Sequence, residues 1–147
     1  MSNDKVSTIN AASFEALESR ARITDLVHRY ANHIIAGTFQ DCRALFTRDA
    51  TFETRQGKPN DPSTLRTLNR AEGIDAILAY VGRSAGGVCP MIHNLVIDIS
   101  GDEAVSSCVM AATVWGTGQV IVGQYHDTYR RDPDWRFASR AYTMFRD

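Results

Sequence analysis

Apolar residues recur at three- and four-residue steps in the first quarter of the chain, a spacing typical of one face of a helix. Ser13 could cap this helix, and Gly37 suits its C-terminal end. Residues 1–12 show little periodicity and are expected to form a flexible tail, so that residues 13–147 make up a single domain. The apolar stripe consists of Ile23, Leu26, Val27, Tyr30, Ala31 and Ile34.

The next part of the chain is predicted to hold two shorter helices, with a strand and a loop between them. A helix is expected around residues 40–46, and residues 49–54 are predicted to form a short strand. Residues 55–70 are rich in Gly, Pro, Asn and Asp, which predicts a long loop of the kind that is often functional. Apolar residues at helical spacing predict the third helix over residues 71–83.

From residue 91 onward, apolar residues alternate with polar ones, which indicates strands. His93 falls in step with Leu95, Ile97 and Ile99 in the first of these strands. Three helices followed by four antiparallel strands that short turns connect indicate an α+β fold. The remaining strands are predicted over residues 104–115, 120–131 and 135–145.

Composition excludes several classes of protein. The 147 residues suit one domain, with 44% hydrophobic and 22% charged residues. The net charge of −1 gives no basic surplus to neutralise phosphates, so nucleic acid is not expected as a partner. No apolar run approaches the length of a membrane span, and the N-terminus lacks the apolar core of a secretory signal. We therefore expect a soluble, cytoplasmic protein.

The three cysteines, Cys42, Cys89 and Cys108, lie far apart and form no CxxC pair. An odd, unpatterned set of this kind is typical of reduced thiols rather than of a disulfide framework or a zinc site. No metal site is expected.

Five groups of residues, in order between about residue 15 and residue 146, resemble the SnoaL-like (nuclear transport factor two-like) superfamily. No single group is distinctive, and the resemblance depends on their order along the chain. The groups are Arg29-Tyr30-Ala31; Ala44-Leu45-Phe46 with Asp49-Ala50; Ala71-Glu72-Gly73-Ile74; Ile92-His93-Asn94; and Gly123-Gln124-Tyr125-His126-Asp127 with Tyr129-Arg130-Arg131, Trp135-Arg136-Phe137 and Arg140.

This resemblance implies a cone, in which a curved antiparallel sheet wraps around the long N-terminal helix (a cystatin-like α+β barrel). An apolar pocket would lie at the open end of the cone. The superfamily includes polyketide cyclases, scytalone dehydratase, hexachlorocyclohexane dehydrochlorinase and steroid isomerase, most of which use no metal or organic cofactor. Other members, such as the small subunits of ring-hydroxylating dioxygenases, have no catalytic centre of their own.

The resemblance places His93 at the position of the catalytic histidine of the dehydratases and dehydrochlorinases. A neutral imidazole there could take a proton from carbon at physiological pH, or His93 could merely cap the strand and bond to backbone. The aspartate that orients this histidine in those relatives corresponds to Ile35, which cannot accept a hydrogen bond. No carboxylate lies between Asp25 and Asp41, so the usual His–Asp dyad is not expected.

Other residues could take over parts of that role. Tyr30 aligns with a polar pocket residue of the dehydrochlorinase, although it could equally be a core aromatic residue. Tyr125 and Asp127 share one face of their strand and His126 the other, and periodicity leaves open which face lines the pocket. Asp127 could supply the missing carboxylate, or it could pair with a nearby arginine such as Arg140.

Arg140 matches an arginine that meets the leaving group in the dehydrochlorinase, and a guanidinium could polarise a carbonyl or stabilise an anion. It has the opposite parity to Trp135 and Phe137, so the strand either carries a bulge or packs its aromatic residues on two faces. The catalytic candidates are thus His93, Tyr30, Arg140 and Asp127, and the candidates for substrate binding are Tyr125, Tyr142, Ile35 and Phe52.

Two functions follow from these residues. The first is a cofactor-free proton-transfer enzyme, a lyase (dehydratase) or an isomerase (cyclase), acting on a small apolar, oxygenated or aromatic molecule. The second is a non-catalytic member that binds such a molecule or assembles with another subunit. A homodimer or homotrimer is expected, because Val105, Val109 and Trp115 could form an apolar outer face.

Overall fold

Helix α1 spans Ser2–Ala36 in a computed structural model, which describes the backbone of residues 2–146 and the side chains of residues 10–146. The predicted apolar stripe is buried against the sheet, and Gly37 follows it in the left-handed conformation (φ 77°) that commonly ends a helix. The helix begins earlier than expected, so the prediction of a tail is wrong for residues 2–12. These residues contain no Gly or Pro to stop a helix, and Met1 lies outside the described residues.

A β-hairpin takes the place of the long loop predicted over residues 55–70. After a 3₁₀ helix at Phe39–Leu45, strand β1 spans Phe46–Lys58 and pairs antiparallel with β2, Asp61–Glu72, across a two-residue turn. Pro59 and Asn60 form the turn itself, and Pro62 lies beside it at the start of β2. Strand β2 lies at the edge of the sheet and is exposed over most of its length, so it shows no apolar alternation.

Helix α2 spans Ile74–Val81 and is shorter than the predicted helix, because Ala71 and Glu72 still belong to β2. Gly73, with a φ of 83°, makes the change of direction between them. The four following strands lie within a few residues of their predicted positions. They are β3 (Val88–Ser100), β4 (Glu103–Val114), β5 (Val120–Arg131) and β6 (Trp135–Phe145).

The six strands form one curved sheet in the order β2-β1-β6-β5-β4-β3. The α+β prediction is confirmed, but the sheet is open rather than a closed barrel, with β2 and β3 at its two edges. It is also not wholly antiparallel, since β1 and β6 run parallel while all other neighbours are antiparallel. Helix α1 and α2 lie on the concave face, where the core and the pocket are.

Two bulges decide which side chains face the core. In β3 the pairing with β4 shifts between His93 and Val96, and Asn94 takes a positive φ of 54° that few residues other than Gly and Asn adopt readily. In β6 the pairing with β5 shifts between Phe137 and Ser139, where β6 has one extra residue. Each bulge inserts one residue, so side chains before and after it exchange faces. The second bulge brings both Phe137 and Arg140 into the core. A bulge was one of the two explanations that the sequence left open for the opposite parity of these residues.

The convex face of the sheet carries exposed apolar side chains. Val105 and Trp115 are 51% and 54% exposed, and other valines of β3 and β5 extend the same surface.

None of the helices in the described part of the chain has the length and apolar character that a bilayer crossing requires.

Gly123 of β5 generates a prediction about the concave face. A Cβ at this position would lie 2.6 Å from the Tyr142 ring and would collide with the backbone oxygen of Thr143. Gly123→Ala should therefore lower the free energy of unfolding by about 1–3 kcal/mol, the usual cost of overpacking. Urea denaturation followed by circular dichroism measures this change.

Gly87→Ala is the matched control, because a Cβ there would meet nothing closer than the Ser84 oxygen at 3.4 Å. An equal loss of stability in both variants would show that the Tyr142 ring does not depend on the space above Gly123.

Candidate pocket

A pocket of about 240 Å³ lies at the open end of the sheet, between α1, α2 and the concave face. Its walls are mostly aliphatic and aromatic, as is usual for small-molecule sites. The aliphatic part consists of Ile34, Val81, Val88, Pro90, Met110, Ala112, Ile121 and Met144, and the remaining residues are Phe52, Tyr30, Tyr80, Tyr125, Tyr142, Thr54, Ser84 and Arg83.

Tyrosines supply most of the polar groups of this pocket. Tyr30 stacks on Phe52 and meets Tyr125 edge to face, with ring centroids 6.3 Å and 6.4 Å apart. The Tyr142 hydroxyl donates to the Met110 carbonyl oxygen at 3.2 Å. The sequence predicted four residues here, Tyr30, Phe52, Tyr125 and Tyr142, and the structure brings all four together in one wall.

Burial raises the pKa of two tyrosine hydroxyls at the centre of the pocket. It raises the pKa of Tyr125 to about 12, although the nearby Arg140 guanidinium opposes the rise. Burial also raises the pKa of Tyr30 well above its ordinary value, and the neighbouring Tyr125 adds to that effect. A phenol is protonated at physiological pH even at its ordinary pKa, and the upward shifts extend that range. The Tyr30 and Tyr125 hydroxyls also hydrogen-bond to each other, which leaves one of the two protons for a ligand.

Asp127 and Arg140 form a buried ion pair behind the tyrosines and do not line the pocket. Arg140 Nε donates to Asp127 Oδ1 at 2.9 Å and Nη2 donates to Oδ2 at 3.2 Å, with both side chains wholly buried. The guanidinium carbon lies 3.7 Å from the ring centroid of Tyr125, 4.5 Å from that of Tyr30 and 4.4 Å from that of Phe137. Of the partners that the sequence left open for Asp127, the structure selects Arg140.

In this pair, each charged group stabilises the ionised form of the other. Burial raises the pKa of the Asp127 carboxyl, and Arg140 opposes that rise. Burial works to lower the pKa of Arg140, but the Asp127 carboxylate raises it above its ordinary value. Both oxygens of Asp127 accept bonds from Arg140, whereas Arg140 Nη1 is buried without a hydrogen-bond partner among the described residues. Neither side chain lines the pocket. The catalytic roles predicted for them are not supported by this arrangement.

His93 does not enter the pocket. It is exposed on the convex face of edge strand β3, opposite Val109 of β4, and Pro90 is the β3 residue that both lines the pocket and is buried. The prediction that the imidazole lies on the inner wall is wrong because the bulge at Asn94 interrupts the alternation that relates His93 to Leu95.

Ile35 is also outside the pocket, with 37% of its surface exposed. Neighbouring residues on a helix point about 100° apart, and it is Ile34 that lines the cavity. At this turn of α1 it is therefore the aliphatic side chain of Ile34 that faces the pocket.

Twelve of the sixteen lining residues were not predicted as pocket residues from the sequence, among them Thr54, Tyr80 and Arg83. Tyr80 follows Ile77 at helical spacing, which could have placed it on the inner face of α2. Thr54 lies next to a register shift in β1, and Arg83 lies beyond the end of α2, so neither position follows from a periodic pattern. The Tyr80 and Thr54 hydroxyls are hydrogen-bonded to each other.

The described residues that line the pocket include no histidine, aspartate, glutamate or cysteine. Nor does the described part of the chain hold a group of three or more His, Cys, Asp or Glu residues that could bind a metal ion. What the pocket offers a ligand is an apolar wall, phenol and hydroxyl donors, and one guanidinium at its rim.

A family model for the SnoaL-like domain matches residues 15–141, most of the chain. The chain belongs to the SnoaL-like family. This confirms the family that the residue groups predicted, although the histidine that suggested a catalyst turns away from the pocket. No curated protein matches the sequence.

Three crystal structures from Novosphingobium aromaticivorans share the fold of this SnoaL-like chain. An NTF2-like protein with a cystatin-like fold has a TM-score of 0.77 at 23% identity, covering 93% of this chain and 88% of its own. The beta subunit of a putative aromatic-ring-hydroxylating dioxygenase has 0.74 at 16%, covering 90% and 92%. A putative scytalone dehydratase has 0.71 at 23%, covering 90% and 87%. At these identities the similarity establishes the fold alone.

The buried pair leads to a stability prediction. Arg140→Met leaves the Asp127 carboxylate buried without a partner and should lower the free energy of unfolding by about 3–5 kcal/mol. The double variant Asp127→Leu/Arg140→Met removes both charges and should recover much of that loss. Urea unfolding of the two variants and the wild type tests this, and a double variant no more stable than Arg140→Met would contradict it.

Proposed function

We propose that this SnoaL-like protein binds a small apolar or aromatic molecule that carries an oxygen acceptor, without a catalytic base of its own. One observation carries the proposal: an apolar pocket whose described lining residues supply donors but no imidazole or carboxylate. A cavity of about 240 Å³ is larger than the roughly 150 Å³ that holds a benzene molecule, so a ligand of one or two rings would fit.

The phenols give the pocket an orientation. Tyr30 and Tyr125 stay protonated and hydrogen-bond to each other, so one of the two hydroxyls can donate to a carbonyl, ether or hydroxyl oxygen of the ligand. Met110, Ala112 and Ile121, which also line the pocket, would cover the apolar part of the same molecule. Aromatic walls with a few polar groups are the usual means by which such sites fix a ligand.

The second candidate is a cofactor-free lyase or isomerase. Its support is the cluster of protonated phenols, which could serve as general acids, and the fold shared with a putative scytalone dehydratase. It lacks a base, because His93 faces outward and Asp127 is bound to Arg140. A proton would then have to leave through a bound water or the ligand itself, so we place this candidate second.

A bulky residue in the pocket tests the binding proposal. Ile121→Trp should weaken binding of acetophenone at least about tenfold, because the indole would occupy the space that the ligand needs. Val122→Trp is the matched control, since the neighbouring side chain is 41% exposed and does not line the pocket. Isothermal titration calorimetry measures both affinities, and equal weakening in the two variants would argue against this pocket as the site.

A β-hydroxy ketone similar in size to acetophenone distinguishes the binding protein from the lyase, because only the lyase would convert it. Loss of water from it gives an enone whose ultraviolet absorbance reports turnover. Binding without turnover is expected from the proposed function. Enone formation that Tyr125→Phe abolishes would instead favour the lyase.

We also propose that the convex face associates with a second or third copy of the chain. Val105 and Trp115, which the sequence suggested for this role, are more than half exposed, and Val109 lies between them on β4. Sedimentation equilibrium should show a dimer or trimer, and Val105→Arg should shift it toward monomer. Leu65→Arg on edge strand β2 is the control and should have no effect. A wild-type monomer would contradict the proposal.

A further inference from the structure

The mouth of the pocket carries one ionised side chain, Arg83, just beyond the C-terminal end of α2. Its backbone N–H donates to the Tyr80 carbonyl oxygen at 3.2 Å, which ties this residue to the last turn of the helix. The guanidinium carbon lies 5.7 Å from the centroid of the Tyr80 ring. The Tyr80 hydroxyl is in turn bonded to Thr54, so the surface beneath the cation is fixed to both α2 and β1.

The charge of Arg83 is not neutralised by the protein. Within the described residues it forms no ion pair, and no carboxylate lines the pocket. Asp75, the acidic residue of α2, pairs instead with Arg43 at 2.9 Å. The other guanidinium near the pocket, Arg140, is balanced by Asp127. The electrostatic field at the mouth is therefore that of one unpaired guanidinium beside a wall of low polarity.

We propose that the ligand is an apolar or aromatic carboxylate whose carboxylate group binds Arg83 at the mouth while its ring occupies the tyrosine-lined interior. This inference rests on the proposed function and adds the chemical class of the ligand. A planar guanidinium matches a carboxylate with two parallel hydrogen bonds. A neutral molecule of the same shape would leave Arg83 without this partner.

Hydrocinnamate and hydrocinnamamide test the inference, because they differ only in carboxylate against amide. Because Arg83 is exposed, calorimetry at low ionic strength should show the wild type binding the acid about threefold to fivefold more tightly than the amide. Arg83→Gln should remove this preference by weakening the acid and leaving the amide unchanged. Arg83→Lys, which keeps the charge without the planar fork, should retain part of the preference.

Arg66→Gln is the matched control, since it makes the same change of charge at an exposed position of β2 outside the pocket. It should keep the preference for the acid. Equal affinity of the wild type for acid and amide, or an undiminished preference in Arg83→Gln, would overturn this inference and leave the binding pocket standing. Failure of acid, amide and acetophenone alike to bind would overturn the proposed function as well.

Discussion

The ion pair between Arg140 and Asp127 is the interaction on which the interior of this protein is organised. A fully buried guanidinium is tolerated only where its charge is matched and its faces are covered, and here Asp127 and the rings of Tyr30, Tyr125 and Phe137 meet both needs. These contacts join α1, β5 and β6. They also hold in place Tyr30 and Tyr125, whose side chains line the pocket.

This arrangement separates the charges of the core from the chemistry of the pocket. The carboxylate that could have acted as a base is held by both oxygens, and the cation that could have met an anion is enclosed by aromatic rings. What reaches the cavity is a set of protonated phenols and, at the mouth, Arg83. The proposed binding function rests on this separation, because recognition needs donors and shape whereas proton abstraction needs a base.

Much of the fold followed from local patterns. The apolar stripe of α1 and the extents of β4, β5 and β6 were predicted within a few residues, since burial of one face imposes a period on the sequence. Composition alone indicated free thiols, and all three cysteines are unpaired. The hairpin of β1 and β2 was missed, because an edge strand exposed along most of its length leaves no such period.

The sequence by itself determined the order of the elements other than β2, the family, and the aromatic residues Tyr30, Phe52, Tyr125 and Tyr142 of the pocket. Only the tertiary structure decided that His93 faces outward, that Arg140 and Phe137 face inward together, and that Asp127 is bound to Arg140. The reason is that a bulge is set by pairing with the neighbouring strand. One inserted residue turns every later side chain to the opposite face, and nothing in a single strand's alternation reveals where that residue lies.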